Sequence, residues 1–145
     1  MSTTRWAAWL AGLWTGWLIG IALVGAPAAF AIAAPETAGR IAGRMFAQEA
    51  YVGIAMAVVL FLMLRKQARL AAEAGAGSLL SGNMLLVLGA LFCTVAGYFA
   101  LQPMMAAARA GQGNLSFGAL HGISAGLYAV KAVLVGVLAW RLAAR

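Results

Sequence analysis

Four polar residues of one apolar stretch, His121, Ser124, Tyr128 and Lys131, recur at intervals of three and four, and an acid, Glu49, lies in a second such stretch. At a helical rotation of about 100° per residue the four share one face, within an arc of about 80°. A histidine offers acid–base or metal-ligand chemistry, a lysine a cation, the two hydroxyls hydrogen bonds, and a carboxylate a counter-charge. Ionisable groups are costly in lipid, so they face a bundle interior or water. Glu49 lies near the outer end of its stretch, at the level expected for His121, and pairing the two would bias the imidazole towards its charged form. Lys131 lies about 15 Å deeper, at about 1.5 Å per residue. Gln102 and Asn114 share the outer level, with Thr94 and Tyr98 further along their helix. The pattern predicts a small polar pocket that opens to the periplasm, with Glu49 and His121 at its mouth and Lys131 at its floor. In the competing reading Glu49 and His121 form a structural pair while Lys131 snorkels towards the cytoplasmic headgroups.

These residues need helices to hold them. Of the 145 residues, 65% are hydrophobic, and four runs are long enough to cross a bilayer: Trp6 to Ala34, Gln48 to Leu64, Leu79 to Leu101 and Phe117 to Trp140. About 20 apolar residues suffice for a crossing. Continuous apolar runs exclude a membrane barrel, which shows short alternating strands. The expected fold is therefore all-α, an integral membrane four-helix bundle forming a single transmembrane domain over residues 1–145. The first run also resembles a signal peptide, through Arg5 and the small residues from Ala28 to Ala34. Its length and Pro35 argue for a retained helix.

Charge sets the expected orientation. Arg5, Arg65, Lys66, Arg69, Arg141 and Arg145 fall on one side, and Arg40, Arg44 and Arg109 on the other. This bias places both termini in the cytoplasm. The net charge of +7 then reads as anchoring to anionic headgroups. Nucleic acid is excluded as a partner, because it would need a basic patch on a polar surface.

Pro27 has no N–H for the Leu23 carbonyl and is expected to kink the first helix, so that Phe30 to Ala34 bend along the periplasmic surface. From Pro35, Ala38, Ile41, Ala42 and Met45 fall on one face and Arg40, Arg44 and Gln48 on another. This predicts a short amphipathic interfacial helix between spans one and two. Gly12, Gly16 and Gly20, and again Gly118, Gly122 and Gly126, recur every fourth residue and offer bare-backbone grooves. Such grooves serve either internal packing or a homodimer face.

The remaining chemistry is narrow. One Cys and one His exclude a structural zinc site and an intramolecular disulfide, and Cys93 reads as a small buried apolar residue. With no Asp and no serine–histidine–acid arrangement, hydrolysis is not expected, and the chain reads as more a non-enzyme than an enzyme. Soft ligands suit monovalent copper, and Met45, Met104 and Met105 lie near the outer boundary with His121. Methionine is also an ordinary filler of membrane interiors.

The strings Leu13-Trp14-Thr15-Gly16, Gly25-Ala26-Pro27-Ala28-Ala29-Phe30 and Ala38-Gly39-Arg40-Ile41-Ala42-Gly43-Arg44-Met45-Phe46, with His121 of Leu120-His121, together resemble a bacterial four-helix membrane domain of unknown function. That family is related to transmembrane protein 205. The resemblance implies a bacterial inner-membrane protein with eukaryotic relatives linked to drug and metal-compound tolerance. The family is distantly similar in architecture to copper-resistance D-type domains and to a haem-dependent protoporphyrinogen oxidase, which would make His121 and Lys131 the residues to examine towards haem. A single histidine cannot supply a bis-histidine site.

Three function classes follow. The first is binding or tolerance of a small molecule or metal compound at the periplasm-facing pocket. The second is a structural or accessory subunit of a larger membrane complex. The third is a haem- or copper-dependent membrane oxidoreductase. Transport by this chain alone would lack both helices and an inverted repeat, and would require a homodimer.

Overall fold

The computed structural model describes residues 3–144; Met1, Ser2 and Arg145, the last among the orienting cations, lie outside the described residues. Four helices run through it: α1 (Thr3–Ile32), α2 (Pro35–Glu73), α3 (Gly82–Arg109) and α4 (Phe117–Ala143), each long and apolar enough to cross a membrane. No strand occurs among the described residues. Apolar side chains in continuous runs leave the backbone to satisfy itself, and in lipid a helix does that within one segment.

The ends of these helices are written in the sequence. After Glu73 the chain turns through Gly75 and Gly77, and after Arg109 through Gly111 and Gly113, all four at positive φ. Gly75 N donates to the Ala72 carbonyl and Ala76 N to that of Ala71; Gly111 N and Gln112 N donate to Ala108 and Ala107 in the same way. These are two copies of one C-terminal cap, with glycine at the left-handed position. Each loop then ends in a serine whose hydroxyl accepts a backbone N–H of the next helix, Ser81 from Met84 and Ser116 from Ala119.

Two segments differ from expectation. The stretch from Pro35 is not a separate interfacial helix but the first part of α2, which continues unbroken for 39 residues. Nothing interrupts it, because Pro35 occupies its first turn and no proline follows within it. Phe30 to Ile32 stay helical, and only Ala33 and Ala34 leave the helix. This end of α1 packs on the start of α2, where Ala29, Ala38 and Ala42 are buried and Ile41 is exposed. Pro27 is accommodated within a helix that widens into a π-helical turn over Ile21–Gly25 immediately before it. Widening is one way for a helix to accept a residue that cannot donate at its own position. A second π-helical turn, Val95–Ala100, interrupts α3.

Around the bundle, α1 packs on α2 and α4, and α3 packs on α2 and α4. The diagonal pairs, α1 with α3 and α2 with α4, make no backbone approach. One half of the bundle holds the apolar core, with Ala11 and Leu18 from α1, Leu60 and Leu64 from α2, Val87 and Ala90 from α3, and Val135 and Leu138 from α4.

The glycine stripes do not form the internal seams. A Cβ built on Gly12, Gly16, Gly20, Gly118, Gly122 or Gly126 meets nothing within 4 Å. The close approaches lie elsewhere: at Gly97, where a Cβ would come 3.1 Å from Leu127 Cβ, and at Gly25, 3.1 Å from the Met45 sulfur. Helical phase explains the arrangement, since Ala7, Ala11, Trp14 and Leu18 face inward and the glycines of α1 fall on the opposite side of the helix.

Gly97→Val should therefore separate α3 from α4 and cost about 1–3 kcal/mol, read by unfolding in mixed detergent micelles. Gly16→Val should leave the monomer within about 0.5 kcal/mol of the parent. An equal loss in both variants would contradict this placement.

Candidate functional site

The polar face of α4 is assembled by the three donors that its helical spacing aligns. Ser124 Oγ donates to the Gly97 carbonyl at 2.7 Å, the Tyr128 hydroxyl to the Leu18 carbonyl at 2.9 Å, and Lys131 Nζ to Glu49 Oε2 at 2.6 Å. One residue reaches α3, the next α1, and the third α2. Two of these acceptors lie in or near the irregular parts of their helices. Gly97 lies within the π-helical turn of α3, and Leu18 lies three residues before that of α1.

Glu49 and Lys131 form the centre. Their side chains are 2% and 4% exposed, and the contact spans a diagonal along which α2 and α4 have no backbone approach. Only the long lysine chain allows this. The second carboxylate oxygen accepts Trp14 Nε1 at 3.3 Å, so both oxygens have donors. Lys131 Nζ also lies 4.7 Å from the centre of the Tyr128 ring, a cation–π contact, and Phe46 meets that ring edge-on at 5.1 Å. Gly53, one turn after Glu49, leaves room for the arrangement: a Cβ there would stand 2.9 Å from Glu49 Oε1 and 3.4 Å from the Trp14 ring. Lys131 lies about 21 Å from the start of α4 and about 18 Å from its end, by helical rise. Lys131 therefore stands near the middle of α4, and the pair lies inside the span.

The expected Glu49–His121 pair is not present. His121 lies ten residues before Lys131, about 15 Å further along the axis, and it is exposed. Its ring stacks on Phe117 at 5.8 Å, and the Arg109 guanidinium lies 4.3 Å from the centre of that Phe117 ring. Nor does Lys131 snorkel to an interface. Thr94 is buried and satisfies itself by donating to the Ala90 carbonyl at 3.0 Å.

The soft-ligand candidates are dispersed. The Met45 sulfur packs towards Gly25, Met105 is buried and Met104 exposed, and His121 is exposed against Phe117. Adjacent residues of a helix point about 100° apart, so Met104 and Met105 do not present two sulfurs to one ion. These side chains do not fit a copper centre, and His121 and Lys131, about 15 Å apart along α4, do not fit one haem iron. No group of three His, Cys, Asp or Glu that could hold a metal occurs among the described residues.

Trp14 was not among the candidates read from the sequence. The signal for it is the inward row Ala7, Ala11, Trp14 and Leu18, in which a single indole stands among small and aliphatic residues. A buried indole N–H needs an acceptor, and Glu49 is at its level.

With this geometry in place, comparison with known families is informative. The family described as a domain of unknown function, DUF4149, matches residues 9–114. The chain belongs to this family. No curated protein and no solved structure matches the chain. The DUF4149 match takes in most of α1 and all of α2 and α3, including Trp14 and Glu49, and ends before α4. Ser124, Tyr128 and Lys131 are therefore contributed by the part of the chain beyond the matched segment.

Removing one member of the ion pair leaves a buried charge without a partner. Lys131→Met is expected to cost about 3–5 kcal/mol, and Glu49→Met with Lys131→Met together far less, because a buried pair replaced by apolar residues is often neutral. Tyr128→Phe should cost about 0.6–1.7 kcal/mol, the range for a hydrogen bond between membrane helices. Detergent unfolding of the four proteins measures these differences. A double variant as unstable as Lys131→Met would show that the pair is not coupled as described.

Proposed function

We propose that this protein binds a small charged or polar molecule, or a metal compound, at the Glu49–Lys131 pair from the periplasmic side of a bacterial inner membrane, and that this binding confers tolerance. The observation that carries the reading is the pair itself, two opposite charges buried inside the span on diagonal helices that have no backbone approach. Intramembrane charges of this kind commonly mark a binding or ion pathway. Separating the pair would expose an ammonium, a carboxylate and the Tyr128 and Ser124 hydroxyls to one ligand. An ionised ligand offering both charges could replace each half of the pair.

Three features support this reading. The two π-helical turns lie beside the polar groups, and such turns recur at functional sites. The excess of Arg and Lys at the ends of the helices near the termini favours both termini in the cytoplasm, which directs the His121 end outward. The resemblance to transmembrane protein 205 favours tolerance over metabolism. A second reading, an accessory subunit or homodimer, is favoured by the outward glycine stripes of α1 and α4, which suit close approach by another helix.

Cysteine accessibility tests the pocket. In a Cys93→Ala background, Ser124→Cys should react with a membrane-impermeant thiol reagent applied to the periplasmic face of intact cells. Pre-forming the double variant Glu49→Met and Lys131→Met should reduce protection against a panel of charged toxic compounds while the protein remains folded. Complete protection of the cysteine, together with unchanged tolerance in the double variant, would overturn the proposal.

A further inference from the structure

Along the outer half of α2, a second set of polar groups faces away from the bundle. A cleft of about 360 Å³ is lined by Arg44, Gln48, Tyr51 and Val52 of α2, with Ala47 between them and Trp17 of α1 opposite. Arg44, Gln48 and Tyr51 stand four and three residues apart, so they form one stripe. Arg44 and Arg65, the charged residues that bracket the apolar stretch of α2, are about 31 Å apart by helical rise, close to the hydrocarbon thickness of about 30 Å. Arg44 is therefore at the outer boundary. Gln48 lies about 6 Å below it and Tyr51 about 10 Å below it, at a depth where water does not satisfy polar groups.

Among the described residues none of the three has a protein partner that relieves this cost. The chain has three acidic residues, and each is engaged elsewhere: Glu36 by Arg40, Glu73 by Arg69 and Glu49 by Lys131. Arg44 thus has no Glu side chain among the described residues as its partner. Gln48 is exposed and Tyr51 is 64% exposed, while the Tyr51 ring is held edge-on by Phe99 at 5.3 Å. A cation at the boundary, an amide and a phenol below it, and indole and valine beside them form a graded surface. Polar groups left bare in hydrocarbon are costly, so the stripe calls for a ligand with matching order.

We infer that this cleft holds a single glycerophospholipid of the outer leaflet. Its phosphate sits on the Arg44 guanidinium, which suits phosphate by geometry and charge. Its ester carbonyls accept from the Gln48 amide and the Tyr51 hydroxyl, and an acyl chain lies along Trp17 and Val52. The inference shares no residue with the Glu49–Lys131 site and takes from the proposed function only the orientation that makes the Arg44 end the outer one.

Native mass spectrometry of the protein released from mild detergent tests it, with phosphatidylglycerol as the added lipid. The parent should retain one lipid through washes that strip the annulus. Arg44→Gln should weaken retention by about tenfold or more, the value of a charge-assisted contact, and Gln48→Leu by less. Arg40→Gln, already paired with Glu36 on the exposed face, should match the parent. Millimolar inorganic phosphate should not displace the lipid, since the acyl chain contributes to its hold. Equal retention by the parent and Arg44→Gln, or a graded series of lipids without a preferred first one, would identify annular lipid only and overturn the inference. Displacement by inorganic phosphate would overturn it in favour of a simple anion site.

Discussion

Burying a carboxylate and an ammonium inside the apolar span is the largest local cost in this molecule. Each ion forfeits several kcal/mol of hydration, and neither can regain it from lipid. The contact between Glu49 and Lys131, with Trp14 on the free carboxylate oxygen and Tyr128 under the ammonium, offsets that cost only in one helix arrangement. Diagonal helices must stand at the reach of a lysine side chain. The distance between α2 and α4, and with it the width of the bundle, is tied to this requirement.

The same economy governs the rest of the polar inventory. Helices in lipid gain nothing from hiding apolar surface from one another, so packing and hydrogen bonding must supply their association. On α4 the two hydroxyls and the ammonium each serve a different neighbour, making that helix the common partner of the other three. Where close backbone approach is used, it occurs at isolated glycines such as Gly97 rather than along the regular stripes. The stripes are turned to the outside, where small residues leave a smooth groove open to lipid or to another helix.

Much of this was legible beforehand, for identifiable reasons. Four crossings follow from hydropathy alone, and the inward face of Ser124, Tyr128 and Lys131 follows from rotation about a helix axis. The partner of Glu49 did not follow. Matching it to His121 assumed that both faced the interior near the boundary, whereas His121 is exposed and Lys131, on its long side chain, reaches Glu49 from further along α4. The glycine pattern was ambiguous because a four-residue repeat has the same form whether it faces in or out. Only the phase relative to Trp14 and Leu18 decides. Trp14 itself was obscured because tryptophan in a membrane helix is ordinarily an interfacial anchor. The widened turns are tertiary accommodations, signalled in α1 by Pro27 and in α3 by no residue that a pattern would single out.

The diagonal ion pair also has a consequence for biogenesis. Polypeptides are made from the N-terminus, and their parts fold in that order, so Glu49 enters the membrane while Lys131 is still to be synthesised. Until α4 arrives, the nascent three-helix assembly carries an acid without its cation and lacks the donors for the Leu18 and Gly97 carbonyls. Arrival of the last helix then brings all three together in a single docking event. A chain interrupted before that point would retain an uncompensated polar centre, a distinguishing mark by which membrane quality control could tell unfinished copies from complete ones.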